Sequence, residues 1–465
     1  MTHKTMTPIM ELKFKRKPYE HQLKMTQRCV QMKRYALLCE MGTGKTQAII
    51  NTFQVLKTID RAKKCLIVCP LSVVGTWISE IIANSDYQFA VLTGTKKQRM
   101  KYLDYRAEFY IINYEGLATM IDYETNRSAV IVHSNPFKDF DMVVLDESSK
   151  IKSHSAIRTR ISLEAFKNIE FKYILTGTPV TQSPLDIFCQ FWFLNPLILR
   201  NKNYYSFRNT YAIMGGYGKY QIVAYKNLPE LKALIAGHST QLKKEDCLDL
   251  PEKIYEVRRM DMSKDMITQY GEMTRDLITQ ISEDEFITAS IVLTKIIRLQ
   301  QILSGVYLPR KENIKLNALM EIIEDTGENI IVWCRFRESM REIEKELNKV
   351  KIKYSILHGD IKDRDKQIEL FQKKETRIFL GQINTGGMGI TLTAGTIMVY
   401  FENTYSLEDR LQSEARAHRI GQRFNVTYID LLYNHSMEEI VMTAIKNKQD
   451  IAHEVVQCFK GGKYE

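Results

Sequence analysis

Residues 39–46, CEMGTGKT, place two glycines and a Lys-Thr pair between an apolar run and the helix-like segment TQAIINTFQVL. A strand, a glycine-rich turn, Lys-Thr and a helix, in this order, form the context of a phosphate-binding loop. The glycines would let backbone N–H groups wrap phosphates, and a helix start favours negative charge. Lys45 is predicted to contact the β- and γ-phosphates. The strict pattern has glycine where this chain has Cys39, so a glycine-rich loop without a ligand is the alternative. The predicted nucleotide-binding residues here are Gly42, Thr43, Gly44, Lys45 and Thr46, with the Thr46 hydroxyl also ligating magnesium.

A second stretch, MVVLDESSK at 142–150, delivers two adjacent acids to the end of an apolar run. Together with the loop, it predicts an ATPase site in which Asp146 holds magnesium and Glu147 orients and deprotonates the attacking water. Taken alone, the same stretch could be a strand that ends in a capped Asx turn. The next apolar run ends in LTGTPV, where Thr176, Gly177 and Thr178 are predicted to relay the state of the γ-phosphate. A tight turn is the alternative there.

The elements that must carry these residues are short apolar runs separated by helix-like segments. Five runs occur before residue 200 and five more after about residue 310, and none alternates polar with apolar residues. Such runs are typical of parallel strands covered by helices on both faces. The predicted fold is therefore α/β, with two parallel-sheet P-loop lobes in tandem. The predicted divisions are 1–199, a helical insertion and linker at 200–310 that nearly lacks strands, and 311–465 with a closing C-terminal helix.

Composition narrows the class of protein. The 465 residues are enough for two or three domains, and 44% hydrophobic with 26% charged residues is an ordinary globular balance. A net charge of +11 favours a polyanionic partner such as nucleic acid. The eight cysteines form no CxxC pair, which argues against a zinc site and fits reduced thiols. No stretch is long and apolar enough for a membrane span, so a soluble cytoplasmic protein is expected, nucleoid-associated in a bacterial or phage-infected cell.

Ten stretches of the chain resemble, in order, the motifs of superfamily-two helicases. They run from about residue 18 to about residue 455 and read KPYEHQ, EMGTGKT, CLIVCPLSVVGTW, IINYEGL, VVLDESSK, LTGTPV, NIIVWCRF, YSILHG, TGGMGITLT and QSEARAHRIGQ. The last resembles the Swi/Snf-type DNA translocases specifically. The resemblance implies two RecA-like lobes that clamp ATP and Mg²⁺ between them and travel along duplex DNA.

The same resemblance assigns further residues to the nucleotide. Gln22 would read the adenine edge, Gly389 would lie at the nucleotide, and Gln412 matches the last motif together with two arginines. Arg416 and Arg419 would meet the γ-phosphate and offset transition-state charge, an effect of roughly 10³–10⁵ in rate in other enzymes. On a helix, however, Arg416, Arg419 and Arg423 would share one face, so a solvated stripe is the alternative. Arg423 lies beyond the motif and keeps that interpretation.

Several positions depart from the family pattern, and the DNA contacts rest on resemblance alone. Ser148 and Ser149 stand where relatives usually have Ala-His, Thr391 replaces a frequent Asn, and Ala415 a frequent Asp. Loops at strand ends of such motors meet DNA phosphates. For each candidate the alternative is a solvated or locally packed loop residue, and Trp77 is equally consistent with a core position. The predicted DNA-binding residues are Ser72, Trp77, Tyr114, Lys152, His358, Gly359, Thr385 and Gly386.

Three functions follow as hypotheses. The first is a monomeric DNA-stimulated ATPase that translocates on double-stranded DNA and remodels forks, branched DNA or protein–DNA complexes, similar to compact phage, bacterial or fork-remodelling forms. The second is a true helicase that separates strands of forked DNA. The third is a nucleotide-gated adaptor that binds a replication, recombination or transcription protein. A nuclease is disfavoured, because no second acidic cluster with a suitably placed Lys is found.

Overall fold

The computed structural model describes residues 12–126, 129–177, 183–216, 218, 221–247, 250–283, 289–305, 313–383, 389–404 and 406–446. The chain divides into two compact units, Met1–Asp249 and Leu250–Glu465. Thr178, Thr385 and Gly386, which the sequence assigns to coupling and to DNA, lie outside the described residues. Among the helices that the structure describes, none has the length and apolar character needed to cross a membrane.

The first unit is built around a seven-stranded sheet. Its strands in chain order, including two separate hairpins, are β1 Arg34–Cys39, β2 Cys65–Cys69, β3 Phe89–Val91, β4 Phe109–Asn113, β5 Asp122–Asn126, β6 Ala129–Ser134, β7 Met142–Asp146, β8 Phe171–Leu175, β9 Ala212–Gly215, β10 Gln221–Tyr225 and β11 Ser239–Leu242. Its described helices are α1 Glu20–Met32, α2 Lys45–Thr58, α3 Val74–Asn84, α4 Lys96–Leu103, α5 Tyr114–Met120, α6 Ile157–Ala165, α7 Ile187–Leu194, α8 Tyr204–Tyr211 and α9 Leu228–Ala236.

The strand order of this sheet is β11-β1-β8-β7-β2-β4-β3, and every neighbouring pair is parallel. Strands β2, β7 and β8 are buried along their whole length because both faces are covered. Within β2, Leu66 and Val68 face one core while Cys65 and Ile67 face the other. The parallel arrangement brings the carboxyl ends of β1, β7, β8 and β2 to one edge, where the predicted chemical residues follow.

The second unit repeats this architecture with a six-stranded parallel sheet of order β12-β17-β16-β13-β15-β14. The strands are β12 Lys253–Met260, β13 Ile330–Cys334, β14 Tyr354–Leu357, β15 Ile378–Gln382, β16 Ile397–Tyr400 and β17 Val426–Tyr433. The described helices are α10 Lys264–Glu283, α11 Ala289–Leu303, α12 Ile314–Asp325, α13 Arg337–Lys349, α14 Arg364–Gln372, α15 Leu407–Ala417 and α16 Met437–Lys446. Two parallel α/β sheets in tandem confirm the predicted fold class.

The prediction that strands are nearly absent between residues 200 and 310 is wrong. Four strands, β9 to β12, lie there, and β11 and β12 join the two main sheets beside β1 and β17. Their sequences do not read as buried strands because edge positions leave much of each strand in solvent; β10, for example, is exposed at all five residues. The two units divide after Asp249, within the predicted insertion. The three-part division itself stays a prediction.

Candidate active site

The glycine-rich loop connects β1 to α2 at the carboxyl edge of the first sheet. Gly42 and Gly44 have φ of 83° and 81°, in the left-handed region that favours glycine. A Cβ on Gly44 would lie 1.9 Å from Gln22 Nε2, so a larger residue would have to displace the Gln22 carboxamide. The Lys45 ammonium donates to the carbonyl oxygens of Cys39 at 2.6 Å and Glu40 at 3.2 Å. The loop therefore curves around its own lysine at the start of a helix.

Cys39, the departure from the strict loop pattern, belongs to the strand rather than to the turn. It is the last residue of β1 and is fully buried. Its thiol donates to the carbonyl oxygen of Thr240 at 3.4 Å, and burial raises the pKa of the thiol to about 11. A neutral thiol at this position packs as a small apolar group, so the turn keeps its shape without a glycine at 39.

Helix α1 packs against this loop through polar contacts. The His21 ring donates from Nε2 to the carbonyl oxygen of Thr43 at 2.9 Å, and the Thr43 hydroxyl donates to the carbonyl of Glu40 at 2.8 Å. Gln22 is 1% exposed, and its Oε1 accepts from the backbone N–H of Tyr19 at 2.9 Å. Gln22 thus lies directly beside Gly44, which agrees with a place near a nucleotide. Its contact with adenine stays a prediction.

The acidic pair lies at the carboxyl end of β7, where Asp146 is the last residue of the strand, two strands along the sheet from the loop. Asp146 is buried; its Oδ2 accepts from Trp77 Nε1 at 2.8 Å and its Oδ1 from the backbone N–H of Glu147 at 2.9 Å. Burial raises the pKa of Asp146, against the smaller lowering by the Trp77 N–H and the Lys45 charge. Glu147 has φ of 49°, so the chain turns sharply where the second carboxylate leaves the strand.

These residues fit a magnesium ion. Burial raises the pKa of Asp146, and a bound cation would favour its charged form. Each carboxylate oxygen accepts one of the two hydrogen bonds above and retains a lone pair. Carboxylate and hydroxyl oxygens are ligands that magnesium accepts in nucleotide sites. Asp146 and Thr46, in the first turn of α2, are the residues that would hold it.

Strand β8 leads from the acids back to the loop. Thr176 is buried, and its N–H donates to the carbonyl oxygen of Leu37 in β1 at 3.2 Å. A Cβ on Gly177 would lie 3.4 Å from the Met41 side chain and 3.5 Å from its backbone nitrogen. Two of the three predicted coupling residues therefore lie against the strand and loop that would carry phosphate. Their relay role stays a prediction.

The predicted arginines lie in the second unit, and the helical stripe proposed for them is wrong. Helix α15 contains Gln412 and Arg416 but ends at Ala417, so Arg419 and Arg423 lie beyond it. The turn is held by the Gln422 carboxamide, which donates to carbonyl oxygens of residues 393, 395 and 417 at 3.1–3.4 Å.

The three arginines differ in their exposure. Arg416 is 6% exposed, and Arg423 is exposed, as a solvated residue should be. Arg419 is half-buried and donates to the carbonyl oxygen of Ile390, which adjoins the predicted nucleotide residue Gly389. The Gln412 side chain donates to Glu408 at 3.2 Å. The catalytic roles of Gln412, Arg416 and Arg419 stay predictions.

Comparison with known families decides the family of the chain. The model of the SNF2-related domain matches residues 20–308, which is more than half of the sequence. The chain belongs to the SNF2-related family. The helicase conserved C-terminal domain matches residues 314–421. The first span includes the loop and the acidic pair, and the second includes Arg416 and Arg419 but not Arg423.

Individual relatives of this SNF2-related chain are distant. An uncharacterised ATP-dependent helicase of Mycoplasma genitalium is 26% identical over 92% of the chain, and the Saccharomyces cerevisiae transcription regulatory protein SNF2 is 24% identical over 90%. YwqA of Bacillus subtilis, a candidate ATP-dependent helicase/translocase, is 23% identical over 90%. The chain spans 41%, 26% and 46% of the lengths of these three relatives. The solved SWI2/SNF2 ATPase core of Sulfolobus solfataricus in complex with dsDNA aligns over 97% of the chain and 94% of its own, with 23% identity and a TM-score of 0.46.

Two predicted DNA contacts of the SNF2-related chain are wrong. Trp77 is fully buried, and Tyr114 is 2% exposed. The Trp77 indole donates to the Asp146 carboxylate, and the Tyr114 hydroxyl donates to the Asp146 carbonyl oxygen at 2.8 Å. Large aromatic side chains are commonly buried, with their polar tip on a partner. The structure therefore agrees with the alternatives, a core position for Trp77 and local packing for Tyr114. Both residues hold the acidic strand end instead.

The other described DNA candidates of the SNF2-related chain remain accessible to different degrees. Ser72 and Lys152 are half-buried, and Lys152 lies 3.9 Å from Asp186. His358 is half-buried beside the Arg337 guanidinium, and Gly359 is exposed. Burial, and then the Arg337 charge, lower the pKa of His358, so the ring is neutral at pH 7 and would meet a phosphate as a hydrogen-bond donor. DNA contact stays a prediction for these four residues.

One buried contact beneath the acidic strand was not predicted. The Ser148 hydroxyl donates to Gln190 Oε1 at 2.7 Å, and Gln190 Nε2 donates to the Asp186 carbonyl oxygen at 2.9 Å. Ser148, where relatives usually have Ala, thus connects the acidic turn to helix α7. The signal was a single glutamine in the otherwise apolar helix IFCQFWFL, because a buried polar side chain needs a partner.

A second unpredicted group is the buried ionic cluster under α15. The Arg410 side chain is 1% exposed and donates to both carboxylate oxygens of Asp430, to Glu414 at 2.9 Å and to Asn403 at 2.6 Å. Its guanidinium lies 3.4 Å from the centroid of the Tyr400 ring. These contacts fix α15, and with it Gln412 and Arg416, onto β16 and β17. Residue type gave no signal, because Arg410 lies in an ordinary charged segment, SLEDRLQSEAR.

Proposed function

We propose that this chain is an ATP-driven motor that translocates on double-stranded DNA. The observation that carries the proposal is the arrangement at the carboxyl edge of the first sheet. There a phosphate-binding loop with Lys45 lies close enough to the buried Asp146 for its charge to lower the pKa of that carboxyl. Membership of the SNF2-related family and the helicase C-terminal domain support the same activity.

In this proposal the loop backbone and Lys45 bind the β- and γ-phosphates of ATP, and Gln22 orients the adenine. Asp146 and Thr46 hold a magnesium ion, which supplies charge neutralisation on the phosphates. Glu147, at the sharp turn after β7, orients the attacking water and takes its proton. Trp77 and Tyr114 position Asp146 through the hydrogen bonds described above. Arg416 and Arg419 offset the charge that develops on the γ-phosphate.

The choice of DNA as the substrate rests on three supports. The chain carries a net charge of +11, which favours a polyanion. Accessible candidates for phosphate contact follow β2 and β14, namely Ser72 and the pair His358 and Gly359. Relatives are named as helicases, or as a candidate helicase/translocase, although each is more than twice as long as the matched region. Forks, branched DNA and protein–DNA complexes are the proposed settings.

The test is the ATP turnover rate without DNA and with single-stranded, duplex and forked DNA, with Lys45→Ala as the inactive control. Stimulation by plain duplex, with displacement of a triplex strand but no unwinding of a fork, is the expected result. Unwinding of forks at a comparable rate would favour a strand-separating helicase instead. If duplex and fork both left the turnover unchanged, the nucleotide-gated adaptor would replace both motor hypotheses.

A further inference from the structure

A cavity of about 410 Å³ lies in the first unit, at the amino-terminal edge of the sheet. Arg34, the first residue of β1, and Lys172, near the start of β8, form its floor. Residues of α6 and α7 form its walls, among them Trp192 and Phe193. Because all strands are parallel, this edge is opposite to the one that carries Lys45 and Asp146. The cavity is therefore separate from the proposed ATP site.

The cavity is strongly cationic. Arg34, Arg160, Lys167 and Lys172 line it, against one carboxylate, Glu164, which already pairs with Lys167. This pairing leaves three positive side chains without a carboxylate among the lining residues. The positive charges within such a cluster repel one another unless an anion lies between them. The composition of the cavity therefore favours a negatively charged ligand.

Two cationic side chains around the cavity have a donor without an acceptor among the described residues. Lys172 is 2% exposed, and within the described residues its ammonium has no hydrogen bond or ion pair, only the Phe193 ring with its centroid 5.3 Å away. The Arg160 guanidinium donates through Nη2 to the Ser155 carbonyl oxygen at 3.1 Å. Its Nε, however, is buried and has no acceptor in the part of the chain that the structure describes. Buried polar groups in proteins are nearly always hydrogen-bonded, so each exception needs an explanation.

The electrostatics of Lys172 agree with this picture. Burial and, to a smaller extent, the nearby Arg34 charge together lower the pKa of Lys172 to about 7. The charged groups that face it are Arg34 from β1 and Arg160, Glu164 and Lys167 from α6 and the turn after it, while α7 contributes only aromatic side chains. An anion in the cavity would favour the protonated lysine, so binding should be coupled to proton uptake.

We propose that this cavity binds the phosphate group of a nucleotide, carried either by a free mononucleotide or by the 5′ end of a DNA strand. Lys172, Arg160 and Arg34 would surround the phosphate. Trp192 and Leu163 offer an apolar wall for the base, and ligand cavities in proteins have volumes of roughly 300–1,000 Å³. The site acts independently of ATP hydrolysis, so its test does not depend on the motor function.

The experiment is calorimetric titration of the full chain with dTMP, repeated on Lys45→Ala to tell binding in the cavity from binding at the phosphate-binding loop. We expect dTMP to bind and Lys172→Met to weaken binding by about tenfold to a hundredfold, because a charge-assisted contact is lost. Lys97→Met, on the exposed face of α4, is the matched control and should bind as the wild type does. At about pH 8, binding should take up protons in the wild type and not in Lys172→Met.

A second pair of probes identifies the source of the phosphate. The first probe is an oligonucleotide with a 5′-phosphate, and the second is the same oligonucleotide with a 5′-hydroxyl. If the first binds more tightly than the second in the wild type but not in Lys172→Met, the site is assigned to DNA ends. Equal binding of the two oligonucleotides, with dTMP binding intact, assigns it to free nucleotides. The proposal is overturned if dTMP does not bind, if Lys172→Met binds it normally, or if a glutamate-rich peptide binds in its place.

Stability measurements keep the result interpretable. Lys172→Met should unfold at the same or a higher temperature than the wild type without ligand, because a buried charge without a partner is removed. Arg160→Gln, at a half-buried position, should also weaken dTMP binding and serves if Lys172→Met does not fold. Normal dTMP binding by a folded Arg160→Gln would contradict the assignment of the unpartnered Nε–H to the phosphate.

Discussion

Replacing Trp77 by Phe tests whether this side chain serves the acidic strand end or the DNA. The indole N–H donates to Asp146 Oδ2 at 2.8 Å in a buried environment, and Phe keeps most of the packing while removing the donor. A hydrogen bond to a charged group contributes about 1.5–3 kcal/mol. Losing this bond should therefore lower the unfolding free energy by about that amount while Asp146 is charged, and it should raise the pKa of Asp146.

The sign of the pH effect follows from the protonation of Asp146. Burial already raises the pKa of this carboxyl, and the Trp77 N–H opposes that rise. In Trp77→Phe the carboxyl stays protonated to a higher pH, and a protonated carboxyl is a poor magnesium ligand. The acid limb of the kcat/KM profile for ATP should therefore move to higher pH, with activity largely kept at alkaline pH. The loss of unfolding free energy should be largest above the Asp146 pKa and should shrink at lower pH.

Trp333→Phe is the matched control. Trp333 is also fully buried, but it lies in the second unit, and its indole N–H has no acceptor among the described residues. It should lose packing without moving the acid limb. ATP turnover as a function of pH and duplex affinity at one pH are the two measurements. The reasoning is refuted if Trp77→Phe lowers turnover equally at every pH, or if its only defect is weaker DNA binding.

Three further predictions concern the proposed roles in ATP binding and hydrolysis. Glu147→Gln should still bind ATP but lose about two to four orders of magnitude in turnover, since the general base is removed. Nucleotide binding and single-turnover hydrolysis are the measurements, and turnover at the wild-type rate would contradict the role of Glu147. Gly44→Ala should abolish ATP binding in a folded protein, because its Cβ would lie 1.9 Å from Gln22 Nε2 at a φ of 81°, and the double variant with Gln22→Ala should recover it only in part. Arg416→Ala and Arg419→Ala should each keep ATP affinity and cut turnover by about 10³-fold or more, whereas loss of the folded state on circular dichroism would indicate a structural role.

The parallel sheets could be predicted because their central strands carry a signal of their own. Strands such as Cys65–Cys69 and Met142–Asp146 are buried on both faces, so every residue is apolar up to the functional end. The carboxyl ends of parallel strands meet at one edge, which is why motifs far apart in the chain could be assigned to one site. Edge strands have no such signal, and β11 and β12 escaped prediction for that reason.

The direction of a side chain was less predictable than its element. Trp77 and Tyr114 follow strands at the functional edge, as DNA-contacting residues would, and only three-dimensional packing shows that both turn inward to Asp146. Their residue type did indicate burial as the alternative, since aromatic side chains are more often buried than exposed. Lys172, which has no ion partner among the described residues, could not be singled out from the sequence. A single lysine in the strand FKYIL is an ordinary interruption of an apolar run.

The arginines around helix α15 could not be assigned their separate roles from their spacing in the sequence. Arg410 and Arg416 lie on the same helix six residues apart, and both are buried. The Arg410 guanidinium donates hydrogen bonds to Asp430, Glu414 and Asn403, so its charge is neutralised inside the second unit. Breaking such a buried pair typically costs about 3–5 kcal/mol, which makes Arg410 a structural anchor. Because that anchor fixes the helix, the later arginines can be held rigidly, which transition-state stabilisation by a guanidinium requires.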